Sequence, residues 1–278
     1  MEFRTVVDVP DPGFRIGPCE EMLFVGSCFA TEIGRRFQEE KFRATVNPYG
    51  VMYNPASILH TIENLFTNHS PLFTTAFLTL GTNHVYRLKE TGEIVDNCQK
   101  RPQSLFAEEE LSVDACADYL SKCVELLREI NPEIRVVLTV SPIRYRKYGY
   151  HGSQLSKATL LLAVEQVVQT TPAPPNLGGE RVTYFPAYEI VNDELRDYRF
   201  YKEDMLHPSN QAVEYIWQRL SEVYLSAEAK AFVAEWAPLK AAMNHKPFDA
   251  DSQEYKVFMN KTMLKVAELQ KKYPTFAL

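Results

Sequence analysis

The stretch MLFVGSCFA, residues 22–30, decides the fold. Residues 22–25 form a short apolar run that stops at Gly26. Beyond it Phe29, Ile33 and Phe37 recur at helical spacing, with Ala30 and Gly34 beside them. Arg35, Arg36, Glu39 and Glu40 fill the opposite, polar face. A strand therefore turns sharply at Gly26-Ser27 and enters an amphipathic helix.

The same unit recurs along the chain. Residues 42–46 read as a second strand, closed by Asn47-Pro48-Tyr49-Gly50. Pro55 opens a helix with Ile58, Leu59, Ile62, Leu65 and Phe66 on one face. Residues 72–80 read as strand three, followed by a hairpin-like excursion turning at Thr91-Gly92. A helix over 113–130 points Cys116, Tyr119, Leu120, Cys123, Val124 and Leu127 inward. Residues 134–140, IRVVLTV, are almost wholly apolar, as a buried parallel strand should be. Residues 153–169 are helical, 172–179 a loop, 182–185 strand five and 208–225 a helix. Five strands alternating with helices predict a three-layer α/β/α fold with a flavodoxin-like, five-stranded parallel sheet. The composition shifts at Ser226, and residues 227–243 and 252–273 read as two further helices. The expected organisation is one domain over 1–225 and a helical appendage over 226–278 packed on it.

Composition narrows the function. The chain has 278 residues, 45% of them hydrophobic, enough for a large core without metal or disulfide staples. A net charge of −6 argues against a duplex nucleic-acid partner. The five cysteines are scattered, with no CxxC pair, and suit a reducing cytoplasm. No apolar leader and no membrane-length run is legible. No metal-ligand spacing occurs, and no cofactor is expected. Neither GxGxxG after strand one nor a Walker-type loop is present, which weakens a nucleotide-binding reading.

In a parallel sheet every strand's C-terminal end lies on one edge, and ligands bind there. The strand ends supply Ser27, Gly50, Gly81-Thr82-Asn83-His84, Ser141-Pro142 and, past strand five, Asp204-Met205-Leu206-His207. Ser27 at a strand-to-helix turn is a suitable nucleophile, since the helix N-terminus favours developing negative charge. His207 can act as its base and Asp204 can orient the imidazole. The Ser27 N–H, the Gly50 N–H and the Asn83 amide are the candidate oxyanion donors; losing one such donor typically costs about 2.7–4 kcal/mol. Each residue also has a plainer role. Ser27 serves equally as a helix cap, Cys28 at the helix start is a rival nucleophile, Gly50 and Asn83 suit turns, and Asp204 and His207 suit a cap and a surface histidine.

At these positions the chain resembles a known family. Residues 26–30 spell GSCFA, the motif that names the GSCFA family, a branch similar to the SGNH (GDSL-type) hydrolases. The likeness spans residues 1–225 and includes Gly81-x-Asn83, Asp204-x-x-His207 and the stretch 193–207. It implies a Ser-His-Asp esterase or acyltransferase with Ser27 as nucleophile, His207 as base, Asp204 as orienting acid, and Gly50 and Asn83 among the oxyanion donors. The sequence departs where Val25 stands before Gly26-Ser27 and where His84 follows Asn83, since those places hold aspartate in the wider superfamily.

Residues 144–151, RYRKYGYH, follow strand four and carry three cations and three tyrosines. Arg144, Arg146, Tyr148 and His84 are the candidate substrate contacts, by charge and by stacking. The plain alternative is a solvated loop whose tyrosines pack on the domain. The expected partner is a small-molecule or carbohydrate ester. The competing class is a non-catalytic carbohydrate- or acyl-binding module on the same fold.

Overall fold

A computed structural model describes residues 3–67, 72–96, 98, 101–171 and 182–276. The expected loop over 172–179 and His69 lie outside the described residues, as does the Phe66 side chain. The main sheet holds five parallel strands: β1 (Glu21–Gly26), β2 (Arg43–Val46), β3 (Thr75–Leu80), β7 (Arg135–Val140) and β8 (Val182–Tyr184), in the order β2-β1-β3-β7-β8. Between β3 and β7 the chain builds a second, antiparallel sheet. Its strands are β4 (His84–Leu88), β5 (Ile94–Val95) and β6 (Phe106–Glu110), ordered β5-β4-β6. The hairpin-like excursion is therefore three-stranded, with Gly92 at positive φ between β4 and β5.

Side-chain alternation divides the core into two layers. Leu23 and Val25 of β1, Leu78 and Leu80 of β3, and Val136 and Leu138 of β7 face α2 (Pro55–Thr67), α3 (Val113–Ile130) and α4 (Gly149–Thr170). Met22, Phe24, Phe77 and Val137 face the other way. They meet α1 (Cys28–Glu39), the short α5 (Ala187–Glu189) with the π-turn after it, and α6 (Asn210–Tyr224). Phe24 stacks on Phe77 at 4.8 Å, and Trp217 of α6 meets Phe37 of α1 edge-on at 4.7 Å. Cys116 and Cys123 are fully buried in the first layer, as their spacing indicated.

Serines start most of the helices. Ser112, Ser209 and Ser226 each accept the N–H three residues on, the usual N-cap bond. Two more helices close the chain, α7 (Ala227–Met243) and α8 (Gln253–Lys272). Phe232, Trp236, Leu239, Val266, Leu269 and Phe276 form a third cluster that also encloses Cys19. The Trp236 Nε1–H donates to the Glu39 carbonyl at 2.9 Å, and Lys240 pairs with the buried Glu40, so α7 is tied to the end of α1.

Two element boundaries differ from the sequence reading by three residues or more. Strand three starts at Thr75 and not at Leu72, although the Thr74 N–H donates to the Glu21 carbonyl and its own carbonyl accepts the Arg135 N–H, bonds that lead into the ladder. The helix expected from Ser153 begins at Gly149, so Tyr150 and His151 lie in the first turn of α4 and not in a loop. Gly149 has φ +69°, which lets a 3₁₀ turn over Arg146–Tyr148 lead into α4.

Gly26 is the tightest point of the sheet. Its φ is +141°, and a Cβ there would lie 2.1 Å from the Thr79 carbonyl oxygen of β3. Gly26→Ala is expected to lower stability by about 3 kcal/mol or more, through strain and steric conflict together. Urea unfolding of the purified variant measures this; an unchanged midpoint would refute it.

Candidate active site

The sheet's C-terminal edge is built around the β1–α1 junction. The Gly26 N–H donates to Asn47 Oδ1 at 2.9 Å, and the Ser27 N–H donates to the Thr79 carbonyl at 3.0 Å. Ser27 is the N-cap of α1; its Oγ accepts weakly from the Phe29 N–H at 3.3 Å. The residue is fully buried. Asn47, itself at φ +42°, also donates through Nδ2 to Thr31 of α1 at 2.9 Å. One amide side chain thus fastens the end of β2 to both sides of the serine turn. The sequence placed Asn47 at the end of strand two without a role of its own, because nothing in a linear pattern shows where a side chain reaches across strands.

Gly50 is exposed, with φ +98° and nothing within 4 Å of a Cβ placed on it. Its N–H donates to the Asn47 carbonyl at 2.9 Å, closing the turn after β2.

The turn after β3 is anchored from several sides. The N–H groups of Gly81 and Thr82 both donate to the Tyr53 carbonyl at 2.8 Å. Asn83 is buried; its Nδ2 donates to the Leu111 carbonyl at 2.8 Å, while its own carbonyl accepts the Leu111 N–H at 3.0 Å. Three side chains of α4 support this region. Ser156 Oγ takes the Asn83 N–H at 3.0 Å, Lys157 Nζ donates to the Gly81 carbonyl at 2.6 Å, and Ser153 Oγ takes the Tyr145 N–H at 3.1 Å. Lys157 is buried, and desolvation pushes its amine down to about 7. Sequence reading passed over Lys157, since a lysine in a helix normally signals a solvent face.

All three expected oxyanion donors therefore have protein partners: Ser27 N–H with Thr79, Gly50 N–H with Asn47, and Asn83 Nδ2 with Leu111. An amide nitrogen carries two hydrogens, so Asn83 retains donor capacity.

Asp204 and His207 are brought together. Asp204 Oδ2 lies 2.6 Å from His207 Nδ1. Asp204 Oδ1 accepts the N–H groups of Leu206 at 2.8 Å and of His207 at 3.0 Å. Those bonds, the backbone ones first, hold the carboxyl down at about 2. An ionised Asp204 places the imidazole proton on Nδ1 and leaves Nε2 as an acceptor, the tautomer a general base requires. The turn is tied to α1 by Lys202, whose Nζ bonds Glu32 Oε1 at 3.0 Å, and to the segment after β7 through Arg144. Among the described residues no hydrogen bond joins Ser27 to His207.

The candidate substrate contacts divide. Arg146 is exposed within the 3₁₀ turn. Tyr148 and His84 stack on each other, ring centroids 3.6 Å apart at 5°. His84 is buried beneath that contact, and desolvation lowers its pKa against the opposing pull of Glu110 and Glu108. Tyr145 lies beyond Tyr148, and Tyr53 meets Tyr145 edge-on at 5.8 Å. The Tyr53 hydroxyl sits 3.5 Å from Cys28 Sγ, so a row of rings runs from beside Ser27 to His84. The Arg144 guanidinium is engaged within the protein, with Nη1 on the Met205 carbonyl at 3.0 Å.

Two titrations follow. Between about pH 7 and Lys157's ordinary 10.5, the unfolded chain holds a proton that the folded chain has shed. Stability should therefore rise with pH across that window, and Lys157→Met should remove the rise; urea midpoints at pH 7 and 9 compare the two proteins. Asp204 should stay ionised down to about pH 2–3, so its carboxyl ¹³C resonance should not move between pH 4 and 8.

Residues 21–75 and 72–220 match the GSCFA family, and residues 236–278 match the GSCFA domain protein, C-terminal domain. A search of curated proteins finds no match. Similar solved structures include a Streptococcus pneumonia protein whose description names platelet activating factor. It is 15% identical, with 74% of this chain and 84% of that one covered, at TM-score 0.46. A family 3 carbohydrate esterase of Clostridium thermocellum is 15% identical, covering 84% of this chain and 98% of that one, at TM-score 0.39. A carbohydrate esterase family 3 protein from Talaromyces cellulolyticus is 11% identical, covering 75% and 93%, at TM-score 0.40. With some 200 residues of the α/β unit matched by one family and the last helices by its C-terminal domain, the chain belongs to the GSCFA family.

Proposed function

We propose that the chain is a serine hydrolase or acyltransferase acting on an ester, with Ser27 as nucleophile, His207 as base and Asp204 as the carboxylate that orients it. The Asp204–His207 pair at 2.6 Å carries this reading. A surface histidine has no need of a carboxylate whose other oxygen is already filled by two backbone N–H groups.

In this mechanism Ser27 Oγ attacks the ester carbonyl as its proton passes to His207 Nε2. The imidazolium then protonates the departing alcohol. Water, or an acceptor alcohol, then loses a proton to Nε2 as its oxygen bonds the acyl carbon, and that proton passes to Ser27 Oγ as the acyl–serine bond breaks. Ser27 starts buried and capping α1, so the base and the serine must close on one another when substrate binds. The oxyanion would be met by the second Asn83 amide hydrogen, since the Ser27 and Gly50 N–H groups are already bonded to the Thr79 and Asn47 carbonyls. Free cysteines suit a cytoplasmic setting, with residues 226–278 as an appendage of the hydrolase domain.

A second reading is favoured by the burial of Ser27 and its bond to Phe29: a binding module for a carbohydrate or acyl group, in which the serine only caps α1. Labelling with a fluorophosphonate probe separates the two. The hydrolase reading predicts labelling of the native protein that Ser27→Ala abolishes and His207→Ala lowers by at least about a hundredfold. A folded native protein that resists the probe, and that turns over no member of an ester library, favours the binding module.

A further inference from the structure

We propose that Arg144 is a positioning residue: it clamps the Asp204–His207 turn from outside and so sets the direction in which His207 Nε2 points. The catalytic consequence rests on the hydrolase reading above; the clamp itself does not.

Lys202 closes the base of the turn, its N–H donating to the His207 carbonyl at 2.7 Å and its carbonyl accepting the Met205 N–H at 2.9 Å, and the remaining bonds fall into two sets. Its inward set gathers on Asp204, whose carboxylate takes Leu206 N–H, His207 N–H and the imidazole. Its outward set comprises the carbonyls of Met205 and Leu206, and both end on Arg144. The Arg144 backbone N–H donates to Leu206 O at 3.0 Å, and Nη1 donates to Met205 O at 3.0 Å. One residue thus holds two consecutive peptide groups of a four-residue turn.

That grip matters because the turn is not relaxed. Met205 has φ +58°, a left-handed conformation that a side chain with a Cβ disfavours. Without a partner on its carbonyl, the Met205 peptide could rotate back to ordinary φ. Doing so would swing the Leu206 and His207 N–H groups off Asp204.

The guanidinium is itself held. Its central carbon lies 4.2 Å from the Tyr150 ring centroid and 5.3 Å from that of Tyr201. Tyr201 in turn bridges Pro208, the residue after the histidine. Lysine could supply the charge, but not a flat group that sits against two rings while presenting donors in one plane. Arg144 stands four residues beyond the end of β7, so it references the turn to the main sheet.

The test compares Arg144→Met, Arg144→Lys and, as a control, Arg101→Met, which alters an exposed arginine of the segment before β6. Two quantities are read: the second-order rate of fluorophosphonate labelling, and the ¹⁵N shifts of the His207 ring, assigned by their loss in His207→Ala. The ring shifts report which nitrogen carries the proton and whether Asp204 still binds it. Arg144→Met is expected to slow labelling about ten- to a hundredfold, the usual effect of losing a charged hydrogen bond. It should also move the ring shifts toward those of a free imidazole, with Arg144→Lys intermediate and Arg101→Met unchanged. Wild-type labelling and wild-type shifts in folded Arg144→Met would overturn the clamp. If the native protein does not label at all, the hydrolase reading falls, and the ring shifts alone decide the clamp. Should Arg144→Met fail to fold, Arg144→Lys decides by the same two measures.

Discussion

Everything at the sheet's working edge depends on how closely the chain passes β3 at Gly26. The register pairs Gly26 with Thr79, and the next residue's N–H donates to the Thr79 carbonyl. That bond can form only because no Cβ intervenes. It pins Ser27 directly against the strand end and starts α1 without a linker. Asn47 then bonds the Gly26 N–H and Thr31, so β2, β1 and α1 share one polar joint. A side chain at position 26 would push β1 from β3, and the helix start, the β2 turn and the serine would move with it.

The other half of the site is built differently. The loop after β8 lies outside the main sheet, and it gains its shape from its own backbone bonds, Lys202 N–H to the His207 carbonyl and Ser209 N–H to the Phe200 carbonyl among them, together with side chains. Asp204 organises the turn from within, Tyr201 bridges Pro208, and Lys202 reaches α1. The serine is thus set in rigid backbone, while the histidine sits on a loop shaped by a few polar contacts. Such loops open at lower free-energy cost than sheet edges do. Among the described residues no hydrogen bond links this loop's His207 to Ser27.

The sheet was legible in the sequence because apolar runs such as 22–25 and 134–140 are short, dense and followed by glycine or proline signals. The helices with one-sided faces, α1, α3 and α6, were legible for the same reason. Of the small sheet the hairpin turning at Thr91-Gly92 was legible and the third strand was not: β6 reads FAEEE, with four exposed residues, and offers no buried face to detect. In α4 the usual polarity rule fails. Ser153, Ser156 and Lys157 are buried while Leu155 and Leu162 are more than half exposed. The turn over residues 81–83 and its neighbour Tyr145 need polar partners, and α4 supplies them at the expense of its apolar face. Asp204 and His207 were readable as a pair because they stand three positions apart. The role of Arg144 was not, since it stands 60 positions before the first residue of the turn it bonds.

The third core cluster has a consequence for how the protein is made. Cys19 precedes the first strand, yet its walls come from Phe232, Trp236, Val266 and Phe276, at the far end of the chain. During synthesis the α/β sheet can assemble once β8 and α6 have left the ribosome, but the chamber around Cys19 must wait for the last helix. Until then an apolar hollow and an uncovered thiol remain open to solvent and to other nascent chains. After closure, burial raises that thiol to about 11 and removes it from thiolate chemistry. The enclosure of a residue that precedes the first strand thus depends on the two helices farthest from it in the chain.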